Sequence, residues 1–168
     1  MERLEAAGAV VFGKTNSSDE EGRLAWECQH IVYGVTRNPW RPDATPGGAS
    51  GGAAAAVAAG LTPLALGGGT AGSVRVPAAF CGVVGLAPSP GRVPTGRPEW
   101  EATVCGPLAR SAADCALALR VLAGTPEAAA GAAGAAGAAD AVAAAAGVAW
   151  GAVRVAVWSG SNPNPNPN

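Results

Sequence analysis

Apolar and polar positions fall into short blocks punctuated by glycine along this chain. Arg3 to Ala7 reads as the end of a helix, Gly8 as its stop, and Ala9-Val10-Val11-Phe12 as a short apolar run suited to a buried strand. From Lys14 to Thr45 polar and turn-forming residues dominate. Asn38-Pro39-Trp40-Arg41-Pro42 is too broken by proline for a regular element, so the stretch is expected to be a long ordered loop. Ser50 to Ala59 predicts a helix, with Ser50 as N-cap, an alanine run as its body and Gly60 to end it. Pro63 to Leu66 then leads into a glycine-rich loop. Cys81 to Leu86 reads as a buried strand, and Ser111 to Ala123 as an amphipathic helix that starts near Ser111, stops at Gly124 and carries Leu117, Val121 and Leu122 on one face. Val153 to Trp158 resembles one more strand. The alternation of helix and strand predicts an α/β fold.

Composition changes this picture in two places. Aromatic residues make up 5% of the chain while glycine occurs 25 times, so the core must rely on close approach of backbones. Glu127 to Gly147 is almost all alanine and glycine, too poor in larger apolar groups to anchor a specific fold, and the Asn-Pro repeat from Asn162 to Asn168 lacks the backbone donors a ladder needs. The first is expected to be a linker and the second a disordered tail. With 168 residues and 49% hydrophobic content, one domain with one core is the expectation.

Charge and cysteine content exclude several classes of partner. A net charge of −1 with 14% charged residues offers no footprint for nucleic acid or an anionic membrane. The longest apolar run, Ala53 to Leu66, falls short of the roughly 20 residues a bilayer requires and contains Pro63. The acidic N-terminus does not resemble a signal peptide. Cys28, Cys81, Cys105 and Cys115 lack metal-site or redox spacing, so free thiols in a reducing, cytoplasmic setting are expected, with neither metal nor cofactor.

Two catalytic or binding motifs match only superficially. Gly67, Gly69 and Gly72 satisfy GxGxxG, but Ser73-Val74-Arg75-Val76-Pro77 does not open a helix convincingly, and no acidic residue follows about 20 positions on to hold a ribose. Gly48, Ser50 and Gly52 satisfy GxSxG, yet no strand precedes them, and the single histidine, His30, comes before the serine in chain order where that elbow needs it after. His30 is expected to be a loop or packing residue.

A third pattern takes both segments together. Gly47-Gly48-Ala49-Ser50-Gly51-Gly52, followed by Gly67-Gly68-Gly69-Thr70-Ala71-Gly72-Ser73-Val74-Arg75-Val76-Pro77, resembles the amidase-signature family, whose members carry GGSSGG and then a glycine-rich loop ending in GGS-(I/V)-R-x-P. Ala49 stands 24 positions before Ser73, which is also the family's interval. Gly8 to Asn16, Tyr33-Gly34 with Asn38-Pro39-Trp40, Phe80 to Leu86, Gly91 to Pro94 and Gly106 to Arg110 resemble further family segments in the same order. The likeness implies a partial amidase-signature core, a mixed β-sheet flanked by helices. It divides the chain into a partial domain at 1–124, an Ala/Gly-rich linker or insertion at 125–149, the start of the next family strand at 150–160 and the tail at 161–168.

What the resemblance implies for chemistry follows position by position. The family cleaves amides with a serine nucleophile, a relay serine at a cis peptide bond and a lysine base, because an unassisted hydroxyl is a poor nucleophile. The nucleophile falls on Ser73. The relay falls on Ala49, whose methyl group can neither accept nor donate a proton. The base lysine belongs to a segment upstream of this match, and the single lysine here, Lys14, corresponds to a different family segment. Ser50 is a weak substitute for the relay, since a shift of one residue points the side chain elsewhere. Thr70, Ala71 and Gly72 would supply the oxyanion hole through their backbone N–H groups. Gly69 replaces the family's aspartate and Ala71 its glycine, and Ala87-Pro88-Ser89 replaces Lys-Pro-Thr. The implied function is a fragment of an amide hydrolase, inactive as it stands, with a small-molecule amide as ligand and the remainder of the same domain as partner. A non-catalytic amide-binding protein or a non-functional remnant is the alternative.

Overall fold

The computed structural model describes residues 1–18, 26–70, 72–94 and 104–124. The expected linker at 125–149, the strand at 150–160 and the tail at 161–168 lie outside the described residues, as does Ala71. Within them the order is α1 (Glu2–Ala6), β1 (Gln29–His30), β2 (Gly34–Val35), α2 (Gly51–Ala58), β3 (Leu64–Gly69), α3 (Arg75–Cys81), β4 (Val84–Gly85), β5 (Val104–Ala109) and α4 (Ala112–Ala123). β5 lies between β3 and β4 and is antiparallel to both, so β3 and β4 run the same way. Leu64 faces Ala109 at one end of the long ladder and Gly69 faces Val104 at the other. β1 and β2 form a separate two-residue ladder.

The core is built from small side chains. Ala53, Ala54 and Val57 of α2 meet Val74, Ala78 and Cys81 along α3, with Leu108 of β5 closing the cluster. Leu108 is the largest fully buried side chain, and its burial contributes about 2 kcal/mol. Backbones approach closely around it: a Cβ on Gly85 would sit 2.6 Å from the Ala78 methyl, and one on Gly106 would run into the Leu86 carbonyl. A second cluster joins Leu4, Val93 and Leu122.

Local chemistry fixes the helix ends. Ser111 caps α4 by accepting from the Asp114 N–H at 3.1 Å, Gly124 ends the helix at φ 69°, and Arg3 donates to the Leu122 carbonyl at 2.6 Å, which puts a cation at the negative end of the helix. The proline-broken segment at Asn38–Pro42 has a similar task. Asn38 Nδ2 donates to the Phe80 carbonyl at 2.7 Å and Trp40 Nε1 to the Cys81 carbonyl at 2.8 Å, satisfying two acceptors that the end of α3 leaves open.

Several expectations from the sequence are corrected here. Ala9 to Phe12 is not a buried strand. The run has no ladder partner among the described residues and is exposed, with Val10 at 82% and Phe12 at 73%. Arg75–Cys81 is a helix, and Pro77 is tolerated because the first turn's N–H groups need no intrahelical acceptor. The strand expected at Cys81 to Leu86 therefore shrinks to Val84–Gly85. Gly67 to Gly69 belong to β3 instead of a loop, and β5 is not evident from the sequence because Pro107 lacks a ladder donor and so argues against a central strand. On α4 the buried positions are Cys115, Ala118 and Leu122, whereas Leu117 is exposed. The 14–45 segment holds the short β1–β2 ladder in addition to loop.

Candidate active site

Two glycine-dependent turns bring the serines together. Gly47 and Gly48 hold φ 103° and 90°, and a Cβ on Gly47 would lie 2.8 Å from Pro77 Cα, so the turn that delivers Ala49 and Ser50 to the start of α2 requires glycine there. Beyond β3, the Ser73 N–H donates to the Thr70 carbonyl at 3.1 Å, and that turn sets Ser73 just ahead of α3. Ser50 and Ser73 are 5% and 8% exposed, and their Oγ atoms are 3.5 Å apart, so Ser50 is not turned elsewhere, contrary to the expectation from its one-residue shift from Ala49.

Both hydroxyls close on one residue of β3. Ser73 Oγ donates to the Gly68 carbonyl at 2.7 Å, while Ser50 Oγ accepts from the Gly68 N–H at 3.1 Å. Ser50 occupies the N-cap position of α2 without a side-chain cap bond, because its oxygen is engaged with Gly68. The glycines on either side make this approach possible: a Cβ on Gly67 would fall 2.8 Å from Ser50 Oγ, and one on Gly69 2.6 Å from Ser73 Oγ. The run of three glycines in β3 is the sequence signal for this contact. It marks where side chains press onto a strand backbone.

The arrangement carries two adjacent hydroxyls but, among the described residues, no basic side chain bonded to either. The Ser73 proton points at an amide carbonyl, which is a hydrogen-bond acceptor and not a base. No titratable side chain among the described residues hydrogen-bonds to either serine. Lys14 is exposed. His30 sits in the β1–β2 hairpin, where Nδ1 accepts from the Val32 N–H at 3.1 Å and the ring lies against Tyr33 at 4.8 Å. Ala49 is half-buried beside Ser50, Thr70 is exposed, and Gly72 holds φ 92°. Among the described residues, no hydrogen bond occupies the Thr70 or Gly72 N–H.

The four cysteines form no disulfide, and burial pushes each thiol up, Cys81 to about 11. Among the described residues, no group of three His, Cys, Asp or Glu side chains is placed to hold a metal ion, and no helix is long and apolar enough to cross a membrane.

A serine buried just ahead of a helix and behind a glycine strand thus has a second hydroxyl beside it, on an α/β core. The Amidase family model matches residues 1–168, and the chain belongs to that family. It is 50% identical over 127 residues to a glutamyl-tRNA(Gln) amidotransferase subunit of Chromohalobacter salexigens, and the alignment covers 74% of this chain and 26% of the relative. The corresponding subunit of Thermus thermophilus is 52% identical over 125 residues, covering 73% and 26%. Among solved structures, peptide amidase from Stenotrophomonas maltophilia superposes with a TM-score of 0.65 at 42% identity, covering 76% of this chain and 27% of that one. 6-Aminohexanoate cyclic dimer hydrolase with bound substrate gives 0.66 at 42% identity, covering 72% and 26%. The chain thus spans about a quarter of the length of the curated relatives it matches.

Proposed function

We propose that this chain is the nucleophile-bearing segment of an amidase-signature hydrolase and that it does not cleave amides in this form. In this reading Ser73 is the nucleophile, Thr70, Ala71 and Gly72 bind the developing oxyanion, and Ala49 occupies the lost relay position. The observation that carries it is the Ser73 hydroxyl donating to the Gly68 carbonyl, with Ser50 Oγ beside it and no base among the described residues. Attack on an amide carbon requires the Ser73 proton to leave. An alanine cannot take it, and Ser50 can pass a proton on only if a base receives it in turn.

The activity of the complete protein is carbon–nitrogen amide hydrolysis, with the remainder of the domain supplying the lysine. A small-molecule amide is its ligand, and no metal or cofactor is involved. The relatives' names span a tRNA-linked amidotransferase, a peptide amidase and a cyclic dimer hydrolase, so likeness alone does not narrow the substrate. The low charge and the cysteine pattern support a cytoplasmic setting.

A second reading, amide binding without cleavage, is favoured by the buried pair of adjacent hydroxyls at Ser50 and Ser73, neither of which is bonded to a basic side chain among the described residues. The test compares amide hydrolysis by the native chain, by Ala49→Ser, and by Ala49→Ser fused to a family segment bearing the lysine, each with a Ser73→Ala control. Groups that act as one unit are strongly non-additive, so Ala49→Ser alone should recover little and the double repair should hydrolyse. Hydrolysis by the native chain at the rate of the double repair would refute the proposal.

A further inference from the structure

Trp26 is the single non-glycine residue among those described with a positive φ, 58°. A bulky side chain is disfavoured in left-handed backbone, and such a conformation persists only where its surroundings hold it. Here the hold comes from the serine turn. Thr45 Oγ1 donates to the Trp26 carbonyl at 2.7 Å and accepts from the Gly47 N–H at 3.1 Å, so one hydroxyl ties Trp26 to the turn that delivers Ala49 and Ser50.

The indole lies across both loops of the site. A Cβ on Gly48 would be 3.3 Å from Trp26 Cε3, and one on Gly72 would be 3.9 Å from Cη2. Both atoms belong to the six-membered ring, so that ring spans the two glycines that immediately precede Ala49 and Ser73. Trp26 belongs to neither core cluster and stays 40% exposed. The hydrogen bond that holds this strained backbone fixes the ring over the two glycines of the site. The ring is positioned as a surface.

We propose that the Trp26 indole is a specificity platform beside Ser73, selecting amides that carry a flat aromatic group over small aliphatic amides. This rests on the reading of Thr70 to Ser73 as the place where an amide carbonyl binds. Aromatic rings gain from stacking beyond the area they bury, enough for an advantage on the order of five- to tenfold in affinity. Neither Gly48 nor Gly72 could carry a side chain at its φ without strain, which keeps the space over both loops free for the indole.

Ligand-observed NMR titration of the native chain with benzamide and with acetamide tests the proposal, repeated on Trp26→Gly and Trp26→Phe. Glycine removes the ring and relieves the positive φ, so Trp26→Gly should keep its thermal midpoint. The native chain should bind benzamide about five- to tenfold more tightly than acetamide, Trp26→Gly should bring the ratio near one with acetamide affinity unchanged, and Trp26→Phe should keep part of the preference. If acetamide binds and the benzamide preference is absent, or survives unchanged in Trp26→Gly, the platform is refuted while the amide site stands. If neither amide binds, the amide-site reading and the platform both fall.

Discussion

Two apolar runs that lead into glycine behave differently in this molecule. Leu64-Ala65-Leu66 enters a ladder against β5, and the neighbouring core fills with alanine, valine and the fully buried Leu108. Ala9 to Phe12 is more hydrophobic, yet it is exposed and unpaired among the described residues. The difference lies in what is available to pair with. A strand's backbone groups and both its faces must find partners, and apolar side chains pointing both ways mark a strand covered on two sides. β3 finds one ladder neighbour, β5, and the core beneath it. The Val10-Val11-Phe12 run has no ladder neighbour among the described residues and stays exposed.

The sharpest way to separate the two regions is truncation of one large side chain in each. Leu108→Ala should lower stability by about 3 kcal/mol through lost burial and a cavity that the small neighbours cannot close, whereas Phe12→Ala should change it by less than about 0.5 kcal/mol. Urea unfolding followed by circular dichroism measures both, and a comparable loss at Phe12 would mean that the run is packed after all.

Glycines offer a second contrast of somewhat smaller size. Gly106→Ala places a methyl against the Leu86 carbonyl and should cost about 2 kcal/mol, while a Cβ on Gly13 meets nothing within 4 Å, so Gly13→Ala should be neutral or slightly stabilising. Equal effects would contradict the close backbone approach assigned to the core.

A smaller effect should come from pH. Burial raises Cys81 from the ordinary value of 9.0 to about 11, so the folded state keeps this proton longer than the unfolded chain does. Its contribution is whole below pH 9 and is lost as pH rises through 11, and the thermal midpoint should fall across that window. Cys81→Ala should lower the midpoint at neutral pH and flatten its decline from pH 9 to 11. An unchanged slope would show that this thiol is not what titrates.

Much of this is legible in the sequence, for reasons that differ from place to place. Ser111, Asp114 and Gly124 announce α4 because caps are local chemistry, and the ordered match of glycine segments points to the family without knowledge of any contact. Ser50 beside Ser73 cannot be read from spacing, because it depends on three glycines of β3 admitting two side chains at once. Pro77 and Pro107 mislead in opposite directions. The first sits in a helix turn that needs no donor from it, and the second sits in a central strand that tolerates a missing one. Exposure of Val10 and Phe12 is hidden because periodicity reports what a segment is suited to and not whether its partners are present.

Among the described residues Ser73 has a neighbouring hydroxyl, Ser50, but no base. Labelling of the native chain with a fluorophosphonate, located by mass spectrometry, tests this most directly, with Ser73→Ala and Ser50→Ala measured alongside. The expected result is that Ser73 labels no faster than the background in Ser73→Ala, and that Ser50→Ala changes nothing. Rapid, stoichiometric modification of Ser73 that disappears in Ser50→Ala would contradict it, because Ser50 would then be relaying a proton to a base that the described residues do not supply.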